Sequence, residues 1–175
     1  DAFTTRRILY VYPSLLLPLT YLALLACVHY VADDEKKVWS LIALAFGIIY
    51  ATMASVNYNI QAVAVRQSLA AGETAGIEMF LPDNNRGVFG ALANSYVYLS
   101  LSMVAAGFVF EGGRLERWIR GLLLAQLITA VGQVGATMFD LSETIFIITS
   151  MVWVIGAPAA YLLMGLRFRD AAAPG

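Results

Sequence analysis

Residues 144–166 read TIFIITSMVWVIGAPAAYLLMGL, an uncharged run closed by Arg167. About 20 mostly apolar residues suffice to cross roughly 30 Å of hydrocarbon, so this stretch has the length and composition of a transmembrane helix. Four more stretches qualify. Residues 8–32 carry no Asp, Glu, Lys or Arg, though Pro13 and Pro18 interrupt them. Residues 38–65 stay apolar to Val56 and continue through Asn57, Asn59 and Gln61 before the charge at Arg66. Residues 88–110 and 121–139 complete the set. Proline is tolerated in such helices, as Pro158 is here, because neighbouring groups can satisfy the freed carbonyl. The expected fold is all-α: one transmembrane domain over residues 1–175, an integral membrane bundle of five helices with one interfacial segment.

Composition agrees. Of 175 residues, 60% are hydrophobic and 13% charged, and the mean hydropathy is +0.73; soluble chains carry roughly 25% charged residues. A net charge of −1 argues against nucleic acid as a partner, which would demand a basic face. One cysteine rules out an intramolecular disulfide, and one histidine rules out two-histidine metal signatures. The first apolar region is too long for the 7–15-residue core of a signal peptide, so an uncleaved first span is expected. Asp1 in place of Met suggests a longer or processed natural N-terminus.

The connections are short, apart from residues 67–87. Asp33-Asp34-Glu35-Lys36-Lys37 reads as a charged turn, and IEMFLP (77–82) is apolar enough to lie on the interface before a turn at residues 82–85. EGGRLERWIR (111–120) breaks at two glycines and restarts as a basic amphipathic turn with Trp118 at headgroup level. Asp140-Leu141-Ser142-Glu143 makes the last hairpin. Five spans put Arg6, Arg7, Arg66 and Arg86 on one side, and Lys36, Lys37, Arg114, Arg117, Arg120, Arg167 and Arg169 on the other. The richer side is expected to be cytoplasmic. The N-terminus is then outside the cell (inner) membrane and the C-terminus inside.

Polar residues within spans usually face the bundle interior. Gln126, Thr129, Gln133, Thr137 and Asp140 form one helical stripe; Tyr50, Asn57 and Gln61 form a second, and Asn94, Tyr98 and Ser102 a third. Two roles are open to them: glue between helices, at about 0.6–2 kcal/mol per bond, or a polar pocket between spans 2, 3 and 4. Asn57, Gln61, Asn94, Tyr98, Gln126, Gln133 and Asp140 are the candidate ligand-binding residues. Tyr50, Tyr58, Tyr96 and Tyr98 could line such a cavity, while Tyr10, Tyr12, Tyr30, Trp39, Trp118 and Tyr161 suit interfacial belts. Small-residue faces at Gly47/Ala51/Ser55, Gly121/Ala125, Gly132/Ala136 and Gly156/Ala160 permit close helix packing, within the chain or against another.

His29 is the sole candidate pigment ligand, able to offer an imidazole to a single haem or chlorophyll; a plain hydrogen bond is the alternative. No other cofactor and no metal site is expected. The only lysines lie in a loop, which excludes a retinal Schiff base. Midplane carboxylates, a Gly-x-Ser-x-Gly elbow and a phosphate-binding loop are absent from the sequence. No serine lies near His29 on its own helix face.

The five-span size is similar to the tryptophan-rich translocator family of sterol and porphyrin binders. That family's tryptophan, proline and asparagine pattern is missing, so the likeness is one of architecture. The runs NYNIQAVAVRQSLAAGE, FLPDNNRGVFGALAN and VFEGGRLERWIRGLLLAQ, spanning residues 57–125, resemble uncharacterised multi-pass membrane proteins from bacteria. That resemblance implies a bacterial origin and no mechanism. The expected function is a non-catalytic accessory or structural subunit, with membrane lipids, a second copy or other membrane subunits as partners. The alternatives are a binding or transport protein for a small amphiphile (lipid, sterol, quinone or pigment) and an intramembrane enzyme without metal.

Overall fold

The computed structural model describes residues 11–73, 75–81, 87–139 and 142–172. It is helical, with no strand among the described residues, and five helices are long and apolar enough to cross a membrane. They are α1 (Val11–Val31), α2 (Asp34–Ala70), α3 (Val88–Gly107), α4 (Arg114–Met138) and α5 (Glu143–Ala172).

The helices run past the expected spans at both ends of α2, the start of α4 and the end of α5, because apolarity marks only part of a helix, while α3 stops at Gly107, short of the expected residue 110. α2 begins in the charged turn as a 3₁₀ turn (Asp34–Lys36), is α-helical over Lys37–Asn59, widens to a π-helix over Ile60–Val65 and ends as α-helix at Ala70. At 1.5 Å per residue it is about 55 Å long. α4 starts seven residues early, at Arg114, because the charged segment RLERWIR is itself helical. α5 runs on to Ala172, with Pro158 inside it. In the long connection, Glu78–Phe80 forms a single 3₁₀ turn. The turn at residues 82–85, Arg6, Arg7, Arg86 and the start of the first span lie outside the described residues.

α3 is the axle of the bundle. Buried residues make up 39% of its apolar stretch, against 17% for α5 at the periphery. Its Ser102 hydroxyl donates to the Ala43 carbonyl of α2 at 2.6 Å and accepts from the Tyr21 hydroxyl of α1 at 2.8 Å. Three helices thus meet at one oxygen. Gly47 makes this approach possible: a Cβ there would lie 2.4 Å from Leu25 Cδ1 and 3.4 Å from Ser102 Oγ, and Leu25 is itself buried. On the other flank, Tyr96 packs edge-on against Trp153 of α5 at 5.5 Å, and Tyr161 donates to Met103 Sδ at 3.7 Å. These two pairs set α3 and α5 parallel. α4 bridges them, packed on both.

One end of the bundle is clamped by charge. Lys36, in the turn between α1 and α2, pairs with Glu111 between α3 and α4; Arg120 reaches the same carboxylate at 3.6 Å. Arg120 also sits 5.8 Å from the ring of Phe108, which packs on Trp39 at 4.5 Å. Arg167 at the end of α5 donates to Glu116 at 2.7 Å. Gly112, at φ +144°, turns the chain between the two carboxylates in a region where side chains are strained. All these groups sit at one end, as five alternating spans require.

Two predictions follow from these joints. Ser102→Ala should lower stability by about 1–2 kcal/mol, because it strands the Tyr21 hydroxyl and the Ala43 carbonyl. Tyr21→Phe should cost less, and adding it to Ser102→Ala should cost almost nothing more; additive losses would show that the two hydroxyls act independently. Lys36 beside Glu111, with Arg120 adding to it, holds the Glu111 carboxyl below the usual carboxylate range. A depressed carboxyl contributes stability above its unfolded value, about 4.3, and loses it as pH falls through the folded one. Melting temperature in detergent should therefore fall with acidification below about pH 4, less steeply in Glu111→Gln; identical acid limbs would refute this role.

Candidate functional site

Five aromatic side chains of the spans form one chain of ring contacts, and a sixth, Tyr58, joins it by a hydrogen bond. Tyr21 meets Tyr50 edge-on at 5.7 Å and Tyr161 at 6.2 Å; Tyr50 meets Tyr96 at 6.1 Å, and Tyr96 meets Trp153 at 5.5 Å. The Tyr58 and Tyr96 hydroxyls share a hydrogen bond at 2.8 Å. Such rings prefer edge-on or tilted contacts at 4.5–7 Å, and the cluster supplies most of the bulk between α1, α2, α3 and α5. Tyr161, expected in an interfacial belt, is part of this cluster because it faces α3. Tyr12, Tyr30 and Trp118 are exposed. The enclosed cavity beside the cluster, lined by Tyr21, Leu25, Met103, Leu123, Tyr161 and Met164 among others, measures about 10 Å³ and is apolar. It is at the lower limit for one water and offers that water no set of polar partners.

The candidate ligand residues fall into two groups rather than one. Asn57 and Gln61 of α2 and Asn94 of α3 lie at the same end of two packed helices, as the Tyr58–Tyr96 bond shows. Gln61, in the π-helical turn, donates to the Phe80 carbonyl at 2.7 Å and straps the long connection to α2. Arg66 Nε donates back to Ala62 O at 3.0 Å. Asn57 Oδ1 and Asn94 Oδ1 are buried with no hydrogen-bond partner among the described residues, as are Ser100 Oγ and Trp153 Nε1. Such atoms cost about 1–3 kcal/mol each. Tyr98 is half-buried and stacks on Phe46 at 6.5 Å.

The stripe on α4 turns toward α5 instead. Gln126, fully buried, donates to Leu122 O at 3.2 Å and across to Val152 O at 3.3 Å. Thr129 donates across to Thr149 O at 3.1 Å. Gln133 is half-buried and makes no side-chain hydrogen bond among the described residues; Asp140 lies outside them. Gly132 and Gly156 sit where these helices touch: a Cβ on Gly132 would collide with Thr149, and one on Gly156 would lie 2.8 Å from Gln126 Nε2. These small residues, like Gly47, serve contacts inside the chain.

His29 has a partner that its own helix could not reveal. Its Nδ1 lies 2.8 Å from Ser40 Oγ on α2. Ser40 gives its only hydroxyl proton to Lys37 O at 2.8 Å, so the imidazole donates in this pair and keeps Nε2 as its second position. The arrangement ties α1 to α2. It does not activate Ser40, whose proton points to the backbone and whose side chain is buried. No group of three or more potential metal ligands occurs among the described residues.

Gln126→Leu should cost about 1–2 kcal/mol by removing the bond to α5, whereas Gln133→Leu should leave the melting temperature unchanged. Equal losses in the two variants would contradict the division of the stripe. No protein-family model, curated protein or solved structure matches this chain.

Proposed function

We propose that the chain is an integral, multi-pass protein of a bacterial inner membrane, with its C-terminus cytoplasmic, and that it serves as a non-catalytic accessory subunit. The observation that carries this reading is the outer face of α5. Ile148, Met151, Ile155, Leu162 and Leu166 follow one another at helical spacing, and Ile148, Ile155 and Leu162 are 63%, 70% and 73% exposed. This is the helix its own chain covers least. Meanwhile Gln61, Tyr21, Ser102, Gln126 and Thr129 spend their polar atoms on partners inside the chain. What is left for function is an apolar side surface, which suits association within the bilayer.

Gentle extraction from native membranes, followed by intact mass measurement, tests this. A partner chain or second copy in fixed ratio is expected, and Ile155→Trp with Leu162→Trp should reduce its recovery severalfold without changing the melting temperature. A single chain with no protein partner overturns the subunit role. A second reading, a binding protein for a small amphiphile, is favoured by the carbonyl oxygens of Asn57 and Asn94, which have no partner among the described residues and ask for a hydroxyl or ammonium donor. Under it, Asn57→Leu with Asn94→Leu should abolish retention of a copurified small molecule while the bundle stays folded; unchanged retention removes that reading.

A further inference from the structure

The cytoplasmic end proposed above carries two exposed guanidinium groups on α4. Arg114 and Arg117 are exposed and make no ion pair among the described residues. The two carboxylates closest in the chain are already taken: Glu111 by Lys36 and Arg120, and Glu116 by Arg167. Asp34 is likewise held by Lys37 at 2.6 Å. Arg114 and Arg117 thus stand outside the ion-pair pattern of the described residues.

The same helix face continues in a different chemistry. Arg114, Arg117, Trp118, Gly121, Ala125 and Ile128 succeed one another at spacings of one, three and four, which places them on one side of α4. Trp118 is 59% exposed, in the position an indole takes at the headgroup layer. Gly121 leaves a notch, since a Cβ there would meet nothing within 4 Å. Beyond the notch, α4 and α5 enclose an open groove of about 440 Å³, lined by Leu124, Ile128, Val131, Gly132, Ile145 and Thr149. It starts about 10 Å along the helix from Arg117 and ends about 22 Å from it. One leaflet of hydrocarbon is about 15 Å deep, so an acyl chain anchored at Arg117 meets the nearer part of the groove.

We infer that this face of α4 binds one anionic phospholipid, its phosphate on Arg114 and Arg117 and one acyl chain in the groove between α4 and α5. The site rests on the chain's being embedded in a bilayer, and it is separate from the α5 stripe and from Asn57 and Asn94. The order of the stripe matches the order of a lipid: two cations, an interfacial indole, a glycine notch, an apolar channel. A zwitterionic headgroup brings the same phosphate but sets its own cation beside the guanidinium pair, whereas phosphatidylglycerol adds none; a free phosphate would leave the groove unused.

Purified protein in mild detergent, offered equal amounts of phosphatidylglycerol and phosphatidylcholine of the same chains, tests this by native mass spectrometry. One phosphatidylglycerol per chain should be retained in preference. Arg114→Gln with Arg117→Gln should reduce that retention about tenfold and leave phosphatidylcholine unchanged; these side chains hold no partner among the described residues, so the fold is not at stake. Gly121→Phe, which fills the notch, should reduce both lipids. Excess inorganic phosphate should not displace the lipid. Equal retention of the two lipids, retention unchanged in either variant, or displacement by phosphate overturns the site. Retention of neither lipid also overturns it, and pelleting with carbonate-washed membranes separates that outcome from failure of the membrane reading.

Discussion

Everything in this bundle hangs on one oxygen. Ser102 Oγ takes a proton from Tyr21 and gives its own to Ala43 O, so α1, α2 and α3 are registered at a single depth. A hydroxyl can do this because it is donor and acceptor at once. It works only where two backbones come close enough to share it. Gly47 supplies that approach. In a lipid environment apolar burial does little to bring helices together, so packing at small residues and a few directional bonds set the register. Once Ser102 is fixed, Met103 and Tyr96 are carried round to meet Tyr161 and Trp153, and α5 takes its place.

How much of this was legible beforehand depends on whether the signal was local. The five apolar stretches and the alternation of their ends are properties of composition, and the helices appear where those stretches lie. Helix ends were poorly marked, since charged segments such as RLERWIR continue a helix without continuing its apolarity. The polar stripes were readable as stripes, because Gln126 and Thr129 fall on one face by spacing alone. Their destinations were not. Nothing in the sequence states that Gln126 meets Val152 rather than Asn57, or that His29 finds Ser40 on the next helix; those are facts of helix order around an axle.

Tyr161 makes the point sharply. A tyrosine six residues from the cationic end of a span belongs to a belt by position, and this one belongs to the core by direction. The π-helical turn at Ile60–Val65 is a similar case: its sequence, IQAVAV, carries no mark of it. Gln61 within it is tied to the Phe80 carbonyl of the long connection, and Arg66 just beyond it donates back to the Ala62 carbonyl.

The chain's three tryptophans have an unplanned spectroscopic value. Trp39 stacks on Phe108 beside the charged clamp, Trp153 lies edge-on to Tyr96 at the centre, and Trp118 stands open on the outer face of α4. Each indole thus occupies a different compartment of the molecule. Versions of the protein keeping one indole at a time would emit from the clamp, the core and the exposed outer face separately, so that loosening of any one region could be followed by its own fluorescence without attaching a label.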